Sequence, residues 1–219
     1  MPNYVKHRLS TSSRFEEVLE FIKGEDTLFD FNKIVQMPEC LNIESSSLGD
    51  LGMEYLLSKQ NCLNARKTKE LEQRIENLYK EGYKEEDIIG LGKKYLYNIS
   101  ITGYKTWYEW TYVNWRTKWN AVEPEVKGNY LEFETAWSGI EELIKKLSIK
   151  FPDVIFIYKY ADEDTGCNCA EGTICNGISN MIYPESQSKQ AYELAFELRP
   201  EYRDYYEFKN GKYICKEEE

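Results

Sequence analysis

Apolar and polar residues alternate from the first positions of the chain. In "YVKHRLSTSS", Tyr4, Lys6 and Arg8 alternate with Val5, His7 and Leu9. That period of two predicts a strand with one covered face. In "SSRFEEVLEFIKG" the period lengthens to that of a helix, with Phe15, Val18, Leu19, Phe21 and Ile22 on one side. Ser12 or Ser13 is the expected N-cap and Gly24 the terminator. "LFDFNKIVQMPECL" supplies Phe29, Phe31, Ile34 and Val35 and then meets Pro38, so an extended segment lying on the core is expected.

From about Ser45 to Trp119 the spacing is helical throughout and is interrupted by Gly or Asn, which predicts an insertion of three or four helices. The helix expected over 63–81 is dense in charge, with Leu71, Ile75 and Leu78 as its apolar stripe. Tyr104, Trp107, Tyr108, Thr111 and Trp115 recur three and four apart, which places them on one face of a last inserted helix, packed on the sheet.

"AVEPEVKG" reads as a loop, after which strand and helix patterns return. "YLEFETAW" alternates Leu131, Phe133, Thr135 and Trp137 with Tyr130, Glu132, Glu134 and Ala136. "SGIEELIKKLSIKF" is a helix with Ser138 as N-cap, and "DVIFIYKYADE" is a buried strand. A meander follows that turns at Asn176 and Gly177, then a helix in "SQSKQAYELAFELRP" and a hairpin turning at Asn210 and Gly211. "CKEEE" reads as an acidic fray. The order defines an α+β class: a ferredoxin-like antiparallel sheet with helices on one face and a large helical insertion. The domain is expected to comprise residues 1–44 and 120–219, with the insertion at 45–119.

Charge and composition narrow the partners. The 219-residue chain carries 38 acidic and 28 basic side chains, a net charge of -10, which disfavours phosphate backbones and favours a partner with a basic surface. Its 18 tyrosines and 5 tryptophans exceed what a core of this size needs and leave aromatic rings for contact surfaces. The first residues hold no apolar targeting segment and no window has the length of a membrane span, so a soluble, cytoplasmic protein is expected in the host cell. Six cysteines are then expected as thiols or metal ligands rather than disulfides.

Five blocks in order, "MPNYVKHRL", "FDFNKIVQMPECL", "NWRTKWNA", "FETAWSGIEELIKKLSIKFP" and "YKYADEDTGCNCAEG", resemble the YubB-type ferredoxin-like domain family. Its members are encoded by phages, plasmids and other mobile elements. The resemblance covers most of the chain outside the insertion, implies that fold and a mobile-element ancestry, and implies no particular chemistry. Arg116 stands where the resemblance leads one to expect glycine, and the cysteine density around 167–175 is also foreign to it.

Four places bear chemistry. In "NWRTKWNA", Trp115 packs at a helix end while Lys118, Trp119 and Asn120 return the chain to the sheet, with Asn114 and Asn120 free to bond backbone. The sharper reading makes Trp115 and Trp119 the walls of a groove in which Lys118 meets an anion or an acidic partner. In "YADEDTG", Asp162, Glu163 and Asp164 suit turn hydrogen bonds better than a cation, because alternation separates Glu163 from the two aspartates. Cys167, Cys169, Cys175 and Cys215, from two hairpins, could enclose a four-coordinate zinc, but C-x-C lacks knuckle spacing and no second pair matches it, so buried thiols are expected and no cofactor. The single histidine, His7, reads as a satisfied sheet residue. Without a nucleophile elbow or phosphate loop the chain is expected not to be an enzyme, Asp162 with Glu134 or Glu132 being the remaining acid–base pair.

Two function classes follow. The first is a mobile-element accessory protein that binds a host protein and neutralises a defence system, in the manner of an anti-CRISPR protein, with the helical insertion as contact surface. The second is a small-ligand or nucleotide-binding domain with a pocket where sheet and insertion join, built from Trp115, Lys118, Trp119, Trp137 and Asp162. Direct nucleic-acid binding, through Tyr158 and Tyr160 on an open sheet face, conflicts with the charge.

Overall fold

The computed structural model describes residues 3–61 and 65–216; Cys62, the start of the helix expected over 63–81 and the last three residues of the acidic fray lie outside them. By internal packing the chain divides into two units, Met1–Gln36 with Thr111–Glu219, and Met37–Trp110.

The first unit is built on a six-stranded sheet, β1 (Tyr4–Thr11), β2 (Val122–Lys127), β3 (Tyr130–Ala136), β4 (Phe156–Asp162), β5 (Cys169–Cys175) and β6 (Ile178–Ile182), in the order β2-β3-β1-β4-β5-β6. Every neighbouring pair is antiparallel. The strands β1 to β4, with helix α1 (Phe15–Ile22) after β1 and helix α6 (Glu141–Lys150) after β3, are a complete βαββαβ unit in ferredoxin-like order. The β5–β6 hairpin widens the sheet beyond β4. Helix α7 (Lys189–Leu198) and a separate two-stranded hairpin, β7 (Tyr206–Lys209) and β8 (Lys212–Cys215), end the unit.

β2 corrects the sequence reading, which placed a loop there. It is irregular, with a register shift between Val122 and Glu125 and Glu123 at φ 47°, and Pro124 removes a ladder donor. Two expected caps are also corrected. α1 begins after Arg14 at φ 56°, with no side-chain cap, and Ser12 instead accepts from the Ile155 amide at 3.1 Å. α6 begins after Ile140, also uncapped by a side chain, while the Ser138 carbonyl accepts from Thr135 Oγ1 at 2.6 Å. The segment expected to be extended before Pro38 carries a 3₁₀ turn at Phe31–Lys33, which buries Phe31.

Register decides the faces. Val5, His7 and Leu9 sit opposite Thr135, Phe133 and Leu131 on β3 and opposite Asp162, Tyr160 and Tyr158 on β4. All are buried, under α1, α6 and the aromatic contacts of Phe29, Phe31 and Phe151. The other face carries Lys6, Arg8, Glu132, Glu134 and Lys159. α7 packs on that side, seating Ala191, Leu194, Ala195 and Leu198 on Ala161 and Cys169 and placing Glu197 on Arg8 and Lys159 at 3.0 and 2.9 Å.

The second unit is helical: α2 (Ser47–Asn61), α3 (Ala65–Lys80), α4 (Leu91–Thr102), which is preceded by a π-helical turn at Glu86–Gly90, and α5 (Trp107–Asn114), within which the unit boundary falls. Leu51, Leu71, Ile75, Ile88 and Ile89 form its core, with Leu78 packed against them. α2 and the Glu86–Thr102 run approach backbone to backbone. A Cβ on Gly52 would lie 1.9 Å from the Ile88 carbonyl oxygen, and one on Gly92 would lie 2.4 Å from the Met53 nitrogen, so these two positions require glycine. Asn98, buried on α4, donates to the carbonyls of Cys40 and Lys105 at 2.9 Å each. α5 is shorter than the aromatic spacing suggested: Tyr104 precedes it, Trp115 follows it, Tyr108 is exposed and Trp110 is buried. No helix among the described residues is long and apolar enough to cross a membrane.

Candidate functional site

The predicted residues converge in part at one end of the sheet, where β1 begins, β3 and β4 end and β5 starts. Trp137, expected on β3, lies just past it in left-handed backbone at φ 66°, a conformation that costs a bulky residue energy and turns its ring out of the sheet. Its amide donates to the Asn3 carbonyl at 2.9 Å, and its carbonyl accepts from Asn168 Nδ2 at 3.0 Å. Asn168 also donates to Asp162 Oδ2 at 2.7 Å. Asp162 is buried, and its Oδ1 accepts from the Asp164 amide at 3.0 Å. The aspartate therefore ties off the turn, as its residue type suggested, and Glu163 contributes its amide to the Tyr4 carbonyl at 3.0 Å.

Lys118 completes this end. Its Nζ lies 4.8 Å from the centroid of the Trp119 ring and 5.3 Å from that of Trp137. Each such contact stabilises by about 0.5–1 kcal/mol near the surface. Tyr112 packs on Trp137 at 5.9 Å. Trp119 and Trp137 thus both flank the lysine, and Trp115 is buried, stands edge-on to Phe31 and donates its indole N–H to the Val35 carbonyl at 2.9 Å. Asn120 is structural as well. Its Oδ1 accepts from the amides of Phe31 and Ala121 at 2.9 and 3.0 Å, and its Nδ2 donates to Asp30 at 2.8 Å. Arg116, where glycine was expected, has φ 64°, backbone that glycine adopts without cost.

The remaining candidates separate. Asp162 points to the covered face, whereas Glu132 and Glu134 point to the other, because they sit opposite Arg8 and Lys6; the acid–base pair does not form. Tyr158 and Tyr160, considered for an open sheet, are buried on the covered face. Cys167 Sγ contacts Ser186 Oγ at 3.2 Å, Cys169 lies under α7, Cys175 contacts the Pro152 carbonyl at 3.5 Å and Cys215 is exposed on β8. Burial raises the Cys169 thiol pKa to about 11, and no metal-binding group of side chains occurs among the described residues.

His7 is fully buried and stacked on Phe133, with ring centroids 4.6 Å apart. Its Nδ1 is 2.7 Å from the Tyr158 hydroxyl and its Nε2 2.7 Å from the Thr135 hydroxyl. Tyr158 also accepts from the Ile140 amide, and Thr135 donates to the Ser138 carbonyl. The Tyr158 proton therefore goes to Nδ1, and Nε2–H donates to Thr135. One neutral tautomer satisfies the whole chain, and burial, aided by Arg199, lowers the imidazole pKa well below its ordinary value.

Sequence reading missed an ionic cluster on the opposite face. Glu132, mostly buried, accepts from Arg8 at 2.8 and 3.1 Å and from Lys127 at 2.8 Å, with Lys6 at 3.9 Å. Arg199 meets Glu134 at 3.0 Å. The signal was the polar half of the β1 and β3 alternation, which set basic residues opposite acidic ones. On α4, Tyr97 and Ile101 point away from the buried stripe of Leu91, Tyr95 and Asn98 and are 62% and 55% exposed; their four-residue spacing was legible. Cavities of about 420 Å³ beside Ser188, Tyr192 and Tyr213, and of about 490 Å³ beside Tyr55, Lys59 and Tyr79, include none of the predicted site residues.

Strand order, crossovers and the arrangement at this end of the sheet define an elaborated ferredoxin-like domain. Residues 97–201 match the family described as a ferredoxin-like domain in Api92-like protein. Among solved structures the chain is similar to the protein Api92 from Yersinia pseudotuberculosis, with 12% identity and a TM-score of 0.40 over 84% of this chain and 99% of that one. No curated protein matches.

Proposed function

We propose that this protein acts by binding another protein rather than by chemistry, as an accessory factor of a phage or other mobile element that blocks a host defence component. The observation that carries this reading is the outward face of α4. Tyr97 and Ile101 are more than half exposed there, and such side chains supply most of the contact energy where proteins meet. The net charge of -10 favours a partner with a basic surface and speeds its approach at low salt. Met37–Trp110 carries 12 acidic and 10 basic residues, so most of the charge belongs to the sheet unit and the helical unit contributes the apolar contact. The neutral, fully bonded His7 is consistent with a role without acid–base catalysis.

The test is affinity capture from host lysate, comparing the chain with its Tyr97→Ala/Ile101→Glu variant. A host protein recovered by the first and lost by the second is expected, with recovery falling as salt rises. Recovery unchanged by the substitutions would defeat the reading. A second reading, a small anionic ligand held at Lys118, is favoured by the Trp119 indole N–H, which is buried beside it without a hydrogen-bond partner. Co-purification of a metabolite, lost in Lys118→Met, would support it instead.

A further inference from the structure

We infer that β6 is a docking strand for β6 of a second copy of this chain, paired antiparallel about a twofold axis at Asn180. β6 ends the sheet, hydrogen-bonded to β5 alone. Turning at Asn176 and Gly177, with φ 45° and 77°, the hairpin opposes Cys175 to Ile178 and Thr173 to Asn180. In a two-residue hairpin those are the hydrogen-bonded pairs. The outward N–H and C=O groups therefore belong to Ser179 and Met181.

"ISNMI" is symmetric about Asn180 in the way a twofold contact requires. Pairing there sets Ser179 opposite Met181 of the second copy, twice, so that all four outward-facing residues exchange hydrogen bonds. It also sets Ile178 against Ile182 on both flanks. Shifting the axis to Ser179 or Met181 would oppose an isoleucine to Asn180 and lose the match. Ile178 and Ile182 are 67% and 57% exposed, so pairing covers apolar surface that this copy leaves open.

Charge selects the occupant. No charged residue occurs from Gly172 to Pro184, in a chain that is 30% charged. Two copies at -10 repel each other elsewhere, whereas a basic partner finds no complement on this strip. The strand is also held ready: Ser179 Oγ donates to Glu141 at 2.6 Å, and the Tyr183 hydroxyl donates to the same carboxylate, which reduces the ordering cost of pairing.

The test is sedimentation velocity of the full chain over a concentration series. A reversible dimer is expected, weakened by more than about tenfold in Asn180→Lys, which faces two ammonium groups across the axis, and in Met181→Pro, which removes only an outward donor. Circular dichroism of both variants, and their melting at concentrations where the parent is monomeric, should match the parent. Asn180→Cys should give an oxidatively linked dimer that neither the parent nor Asn210→Cys gives, since residues directly opposite across such a ladder are close enough for a disulfide. A chain monomeric at every concentration, a dimer indifferent to both substitutions, or a monomer that instead takes up an unrelated extended peptide along β6 would overturn the inference.

Discussion

β2 and β6 close the same sheet at opposite edges, and one is guarded where the other is open. β2 carries Pro124, a register shift, Glu123 in left-handed backbone, and Glu123 and Glu125 exposed to solvent. Each of these blunts an edge against a new strand. β6 has none of them. It is regular, uncharged and β-branched at both ends. A sheet whose two edges were equally open would polymerise, and one with both guarded would stay alone, so a single open edge is the arrangement compatible with a closed pair.

The largest effect expected from breaking this contrast comes at Gly172. A Cβ there would lie 2.2 Å from the Asn180 carbonyl oxygen and 2.7 Å from the Met181 Cα, backbone atoms that have no rotamer to escape into. Gly172→Val should cost about 3 kcal/mol in denaturant unfolding, with amide exchange accelerated across residues 178–182 and unchanged on β2. Loss of protection on both edges would mean that β6 is not a separable addition to the ferredoxin-like unit.

At the guarded edge the corresponding weak point is Glu132. Burial by itself would raise its pKa, but hydrogen bonds from Lys127 and Arg8 and the charge of Lys6 outweigh burial, so its pKa is lowered. Glu132→Gln is expected to cost about 2 kcal/mol at neutral pH, because Arg8 and Lys127 lose their shared anion. With the folded pKa below the unfolded one, the carboxylate's contribution is full above about pH 4.3 and is lost as pH falls through the lowered value. Melting curves of parent and variant should therefore converge in acid. Glu171→Gln on β5, whose partner Lys159 it meets at 3.0 Å in a more exposed site, should change stability by less than about 0.5 kcal/mol.

The same comparison explains what could be read without coordinates. β6 and its turn were legible because an Asn-Gly pair between apolar runs is a strong local signal. β2 was not, because the proline and the bulge that protect it also erase the alternation by which strands are recognised. Local pattern likewise predicted the burial of Val5, His7 and Leu9, the Leu71, Ile75 and Leu78 stripe and the turn role of Asp162. It grouped Lys118, Trp119 and Trp137 in one candidate pocket but kept Trp137 on β3, whereas Trp137 leaves that strand in left-handed backbone to reach the lysine. The ionic cluster at Glu132 depends on cross-strand pairing in the same way.

The smallest change in stability is expected at Pro124, where it discriminates most about the edges. Pro124→Thr restores one backbone donor at a half-buried edge position and should shift unfolding by no more than about 0.5 kcal/mol. The bulge and the carboxylates of Glu123 and Glu125 remain, so the substitution alone should leave sedimentation as in the parent. Adding Glu123→Asn and Glu125→Thr removes the carboxylates too, and where proline and charge are the guards this gives the sheet two open edges of different sequence. Two unlike edges cannot close on themselves by one twofold axis, so this triple variant should form open-ended assemblies by light scattering, and adding Asn180→Lys to it should reduce them to dimers joined through β2. If the triple variant sediments like the parent, proline and charge are not what keep β2 alone, and its irregular register by itself is enough.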